Sequence, residues 1–216
     1  MTNPQLLGKL RGISSLGKIM FETGDFVFSV VGRDDNAISE VTQGYRGARV
    51  NHMGIALKTP RGDFVLEAFP PEVRLTNIDV FSRRSIGNAG LPRLMFGRLD
   101  AEHRQLIPSA IEYGIGQRNI PYDRLYLTGE TALYCSELIV DMFNHANGGT
   151  PFFAEDPMSF RDIETGQVHQ AWVDYYAYFG MTVPEGEPGS NPGDISLDGR
   201  LEIYRVEGPI PGLQQI

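Results

Sequence analysis

The chain predicts an α+β fold, and three features of its 216 residues carry that expectation. Residues 50–69 alternate as two strands across a turn, and short apolar runs bounded by glycine read as further strands. The apolar residues that follow Cys135 fall instead at helical spacing. No repeat, low-complexity tract or linker divides the chain, so residues 1–216 are expected to form a single domain, long enough to bury a core without staples.

In chain order, residues 3–20 carry Leu6, Leu7, Leu10, Ile13, Leu16 and Ile19, a roughly helical period punctured by glycines, which reads as a weak helix or an extended arm. Gly24-Asp25 opens the apolar run Phe26 to Val31, closed by Gly32, which has the look of a buried strand. Asp34 to Gln43 suits a short helix with Ile38 and Val41 turned inward, ending at Gly44.

Val50 to Leu57 then reads as a strand whose alternation puts Met53, Ile55 and Leu57 on a bulky face and His52 with Gly54 and Ala56 on the other. The small neighbours leave space for another element to approach His52. Thr59-Pro60-Arg61-Gly62 supplies turn chemistry, and Asp63 to Phe69 returns as the second strand. If Lys58 faces Asp63, Glu67 faces Gly54 and shares the face of His52 as its diagonal neighbour, about 7–8 Å away at the backbone. A slip of one residue would turn Glu67 to the opposite face.

Further on, Val73 to Leu75 continues the sheet, Asn77 to Phe81 reads as a helical turn and Leu94 to Leu99 as a strand. Asp100 is placed to cap a helix through Gly114 that kinks at Pro108 or begins again there. Asn119 to Asp123 is a turn leading to the helix that starts at Cys135 and stops at Gly148-Gly149. Trp172, Tyr175, Tyr176 and Phe179 fall at helical spacing and read as core. Val183 to Ile195, rich in proline and glycine, reads as a long ordered loop before a last strand, Leu201 to Val206.

Composition narrows the function. Hydrophobic residues make up 41% and charged residues 21%, the balance of a globular protein. The net charge of −8, with Lys and Arg scattered, excludes nucleic acid as the main ligand. No run approaches the 18 or so apolar residues of a membrane span and no export signal is visible, so a cytoplasmic protein without stable membrane insertion is expected. Oligomeric state is not encoded in any readable pattern.

Cys135 is the only cysteine, so it cannot form an intrachain disulfide. At a helix N-terminus its thiolate would be favoured by unpaired backbone N–H groups. Such a nucleophile needs a base, and the base needs a third group to hold its tautomer. Four histidines compete for the base role. His103, His145 and His169 each read as solvated helix residues, whereas His52 lies on a strand with Glu67 placed to orient it. One cysteine and four dispersed histidines lack metal-ligand spacing, so neither a metal nor a cofactor is expected.

Taken together, Gly24-Asp25-Phe26-Val27-Phe28, Asn51-His52-Met53-Gly54-Ile55-Ala56, Val65-Leu66-Glu67-Ala68, Pro121-Tyr122-Asp123 and Tyr134-Cys135-Ser136-Glu137-Leu138 resemble, in order and spacing, the YiiX-like group of NlpC-type cysteine hydrolases. The resemblance implies a circularly permuted papain-like fold, an antiparallel sheet packed against the helix that carries the nucleophile. It implies Cys135 as nucleophile, His52 as base and Glu67 as the orienting residue. The Cys135 backbone N–H is expected to serve the oxyanion, with either Tyr45 or Tyr122 as side-chain donor. Tyr134 joins these as a candidate substrate-binding residue, as does Asp25, which either hydrogen-bonds near the site or caps a turn. The expected activity is hydrolysis of an amide in a small, cell-wall-derived peptide through a thioester, the partner being a small peptide, amino-acid or acyl compound. The alternatives are an acyltransferase or lipid acyl hydrolase with the same chemistry, as in related proteins resembling lecithin retinol acyltransferase, and a non-catalytic binding module.

Overall fold

A computed structural model describes residues 20–33, 36–129 and 131–214. The arm expected over residues 3–20 lies outside them except for Met20. One antiparallel six-stranded sheet in the order β4-β3-β2-β1-β5-β8 organises the fold. Its strands are β1 (Phe26–Ser29), β2 (His52–Thr59), β3 (Gly62–Phe69), β4 (Glu72–Asn77), β5 (Leu94–Leu99) and β8 (Leu201–Glu207).

Both faces of the sheet are covered. Phe26, Phe28, Met53, Ile55, Leu57 and Leu66 meet helices α3 (Ile107–Gly116) and α4 (Cys135–Ala146) in the larger core, which Leu138, Ile139, Met142 and Phe143 complete. The alternate residues Val27, Ala56, Val65, Leu94 and Phe96 pack with Ile78 and Phe81 of α2 (Ile78–Arg84). Thus the element that uses the small face beside His52 is α2, not the cysteine helix.

The hairpin β2–β3 has Lys58 opposite Asp63 and Ile55 opposite Leu66, the expected register. Gly54 is needed for this approach: a Cβ there would lie 2.5 Å from Val65 Cγ1, 2.6 Å from the Leu66 carbonyl and 3.2 Å from Glu67 Cβ.

Elsewhere side chains cut elements short. Strand β1 stops at Ser29 instead of Val31 because the Val31 N–H turns to Asn51 Oδ1 at 2.8 Å, while Asn51 Nδ2 donates to the Val31 carbonyl and Ser39 Oγ. Helix α1 spans only Ala37–Val41, since Asn36 caps it by accepting the Ser39 N–H, and its Ile38 and Val41 face a cavity. Asp100 accepts the His103 N–H in a single turn, after which a 3-10 turn (Arg104–Leu106) leads into α3 with proline in its first turn. Helix α5 (Gln170–Tyr178) buries Trp172 and Tyr176 of the expected core stripe, whereas Tyr175 is half-buried and Phe179, just past the helix end, is exposed. The proline-rich tail, expected as loop alone, forms a two-strand ladder of β6 (Asp156–Pro157) with β7 (Pro188–Gly189), then α6 (Pro192–Ser196), whose cap is the Asn191 side chain. Among the described residues no helix is long and apolar enough to cross a membrane.

Candidate active site

Cys135 is the first residue of α4, and the helix is pinned there by its own third residue: Glu137 accepts the backbone N–H groups of Tyr134 (3.2 Å) and Gly129 (3.0 Å). Since Leu138, Ile139, Met142 and Phe143 anchor α4 against the sheet, the thiol is held at the end of β2 rather than over its middle. It is 5% exposed. The sulfur thus sits at the positive end of the helix dipole.

His52 opens β2, and its Nε2 lies 2.6 Å from Glu67 Oε2. Its side chain also interacts electrostatically with that of Cys135. Burial pulls the imidazole pKa down, but the hydrogen bonds to Cys135 and Glu67 and the charges of both outweigh it and lift the pKa to about 9. Glu67 is fully buried. Desolvation alone would raise its pKa, yet its hydrogen bond to and attraction for His52, the charge of Arg84 and a hydrogen bond from Thr76 hold it below the usual carboxylate range. Arg84 Nη2 meets the other carboxylate oxygen at 2.5 Å, with its guanidinium 3.9 Å from the centre of the Phe69 ring. Phe69 and Phe81 also flank the imidazole, at 5.1 and 5.5 Å between ring centres.

Two cavities flank this group. The smaller, about 70 Å³, is lined by Cys135, Ser136, Met158, Phe160 and Ser190; the larger, about 420 Å³, by His52, Phe69, Pro70 and Tyr175. Ile38, Asn51, Tyr122, Tyr126 and Trp172 line both. Burial, together with the nearby Cys135 and Tyr126, pushes the Tyr122 hydroxyl well above its ordinary range, so it remains a proton donor at neutral pH. Tyr126 adopts a left-handed backbone (φ 55°), a conformation costing on the order of 1–3 kcal/mol. Asp123 holds the loop by accepting the N–H groups of Leu125 and Leu127, each at 2.7 Å.

The model of a family described as permuted papain-like amidase enzyme, YaeF/YiiX, C92 family, matches residues 20–203. The chain belongs to that family. Among solved structures, the permuted amidase is similar to one titled metalloprotein yiiX from Escherichia coli O157:H7, with a TM-score of 0.67, 19% sequence identity, and coverage of 87% of this chain and 98% of that one. No curated protein matches the chain. The fold is permuted papain-like, with the histidine strand ahead of the cysteine helix in sequence. Among the described residues of this amidase, no group of three or more His, Cys, Asp or Glu side chains is arranged to hold a metal ion.

Of the residues singled out from sequence, Cys135, His52, Glu67, Tyr122 and Tyr134 come together, the Tyr134 hydroxyl accepting the Ser190 N–H at 3.1 Å. Tyr45 does not line either cavity; it packs on the larger core, where its N–H meets Ser196 Oγ. Asp25 is also remote from both: it caps the Glu22 N–H, receives Arg98 through Nε and Nη2 at 2.7 Å each, and accepts the Tyr204 hydroxyl. The other histidines have separate partners, His103 with Asp100, His145 stacked on Tyr113 and His169 with Glu40. Arg84, Tyr126 and Ser190 escaped the sequence reading because no local pattern marks them. Trp172 was legible only as core, and it does pack with Phe160 and Tyr176 while one side faces the cavities.

Proposed function

We propose that this amidase cleaves an amide in a small peptide, a class that includes cell-wall-derived peptides, through a thioester on Cys135. What supports the reading is the grouping of Cys135, His52 and Glu67, with the histidine interacting with the Cys135 side chain and its Nε2 lying 2.6 Å from a buried carboxylate. With its pKa raised to about 9, His52 is an imidazolium at neutral pH, placed beside the Cys135 sulfur. The thiolate attacks the amide carbon, and the oxyanion takes the Cys135 backbone N–H and the Tyr122 hydroxyl. His52 gives its proton to the departing amine, and water, deprotonated by the now neutral His52, then hydrolyses the thioester.

Alkylation by iodoacetamide tests the pair. Wild-type protein is expected to label at Cys135 at least about tenfold faster at pH 7 than His52→Ala. Equal rates in the two would sink the reading.

A further inference from the structure

We infer that the two cavities divide the substrate at the scissile bond, and that the cysteine-side cavity admits only a short, uncharged acyl group, of acetyl to lactyl size, on an amine with an apolar body. The inference rests on the thioester reading above and assigns its substrate class. His52 must protonate the leaving nitrogen, so the amine side of the substrate lies toward the cavity that His52 lines. The acyl carbon bonds to sulfur, so the acyl side lies in the cavity that Cys135 lines.

Volume separates the two sides. The acyl-side cavity measures about 70 Å³. That is less than half of the ~150 Å³ apolar cavity that binds one benzene ring, and leaves space for about three non-hydrogen atoms beyond the carbonyl. Met158 and Phe160 form its apolar wall, and Met158 is wedged against Gly189, where a Cβ would lie 2.5 Å from the sulfur. The amine-side cavity, about 420 Å³, is bounded by aromatic rings.

Charge is the second constraint. Among the described residues, neither cavity is lined by an Asp, Glu, Lys or Arg. The amides of Asn36 and Asn51 are occupied by backbone and Ser39. An ammonium or carboxylate on the acyl group would therefore lose its hydration without gaining a charged partner there.

One polar atom is left over. Ser190 is clamped by its backbone, its N–H on Tyr134 Oη and its carbonyl on Ser136 Oγ, so its own Oγ is held at the acyl-side cavity. That Oγ is closed to solvent and lies beside the Tyr134 hydroxyl, with no well-aligned hydrogen bond of its own among the described residues. Such an orphan is costly unless a ligand atom satisfies it, which favours a hydroxyl on the acyl group.

The step balances without a further reactant. The Cys135 sulfur bonds to the acyl carbon as the C–N bond breaks, and the imidazolium proton goes to nitrogen. Water then adds, its proton returns to His52, and the short acid departs from sulfur.

Hydrolysis of acetyl, propionyl, lactyl and hexanoyl p-nitroanilides by the full chain tests this. Each of the three short acyl groups is expected to exceed hexanoyl in kcat/KM by at least about tenfold. Met158→Ala is expected to narrow that gap, and Ser190→Ala to lower the lactyl-to-propionyl ratio several-fold. Hexanoyl turnover equal to the short substrates, or ratios that neither variant moves, would overturn the inference. Hydrolysis of none of the four, with Cys135 still alkylated in a His52-dependent way, overturns the acyl-size inference alone. Loss of that dependence overturns the thioester reading beneath it.

Discussion

Arg84 holds the oxygen of Glu67 that His52 leaves vacant, at 2.5 Å, while lying across the Phe69 ring. The carboxylate is thereby shared between a permanent cation and an imidazole, which makes opposite predictions for two substitutions. Wild-type kcat/KM is expected to fall above about pH 9 as His52 loses its proton. Glu67→Gln removes the anion facing the imidazolium, so the alkaline limb should move to lower pH with a loss of roughly tenfold or more in rate. Arg84→Gln removes a competing cation, so the limb should move to higher pH. Parallel shifts in the two variants would show that Arg84 does not act through the carboxylate.

Tyr122 and Tyr45 were equivalent as oxyanion donors on sequence alone, and the geometry separates them. Tyr122→Phe should lower kcat by about 10²-fold or more with little change in KM, while Tyr45→Phe should stay within about twofold of wild type. Steady-state kinetics on any turned-over anilide decides it, and the reverse ranking would reject Tyr122.

Stability should fall as pH rises from acid to alkaline. Burial, then the charges of Asp141 and Asp123, outweigh the two backbone hydrogen bonds of Glu137 and raise its pKa to about 7. Burial and Glu155 raise Asp141 to about 6. A carboxyl whose folded pKa exceeds its unfolded value stabilises fully below the unfolded value, and that contribution fades as pH climbs through the folded one. For Glu137 and Asp141 the window runs from about pH 4 to 7. For His52 it runs from about 6.5 to 9. Thermal melts should therefore show Tm declining across pH 5 to 9, with the acidic part of the decline reduced in Glu137→Gln and the alkaline part reduced in His52→Ala. A flat acidic part in wild type would contradict the raised pKa of Glu137.

Gly54→Ala should destabilise the fold by about 1–3 kcal/mol, because the new methyl meets Val65 and the Leu66 carbonyl at under 3 Å. It should also slow the enzyme, since Glu67 Cβ lies next in line. Urea unfolding gives the first number, and a wild-type midpoint in the variant would refute the close approach.

The His52–Glu67 relation was legible because strand alternation and one turn fix it: Lys58 opposite Asp63 determines which face Glu67 occupies. Cys135 was legible through its uniqueness and the helical period after it. Arg84, Ser190 and Tyr126 were not, because their roles arise where α2, the tail and a left-handed loop residue converge from distant parts of the chain, and no periodicity records such convergence. Strand β1 was overextended for a related reason, as Asn51 replaces a neighbouring strand in satisfying Val31. Trp172 shows a third limit: an aromatic stripe gives one pattern whether all of it is core or one ring also walls a cavity.

His52 and Glu67 belong to one hairpin closed over fifteen positions, whereas Cys135 arrives on a helix much later in the polypeptide. Closing the short loop costs less chain entropy than docking the distant helix. The His52-dependent thiol reactivity proposed above would consequently signal that the whole body has assembled, and its rate of appearance during refolding would time the final docking event rather than the first.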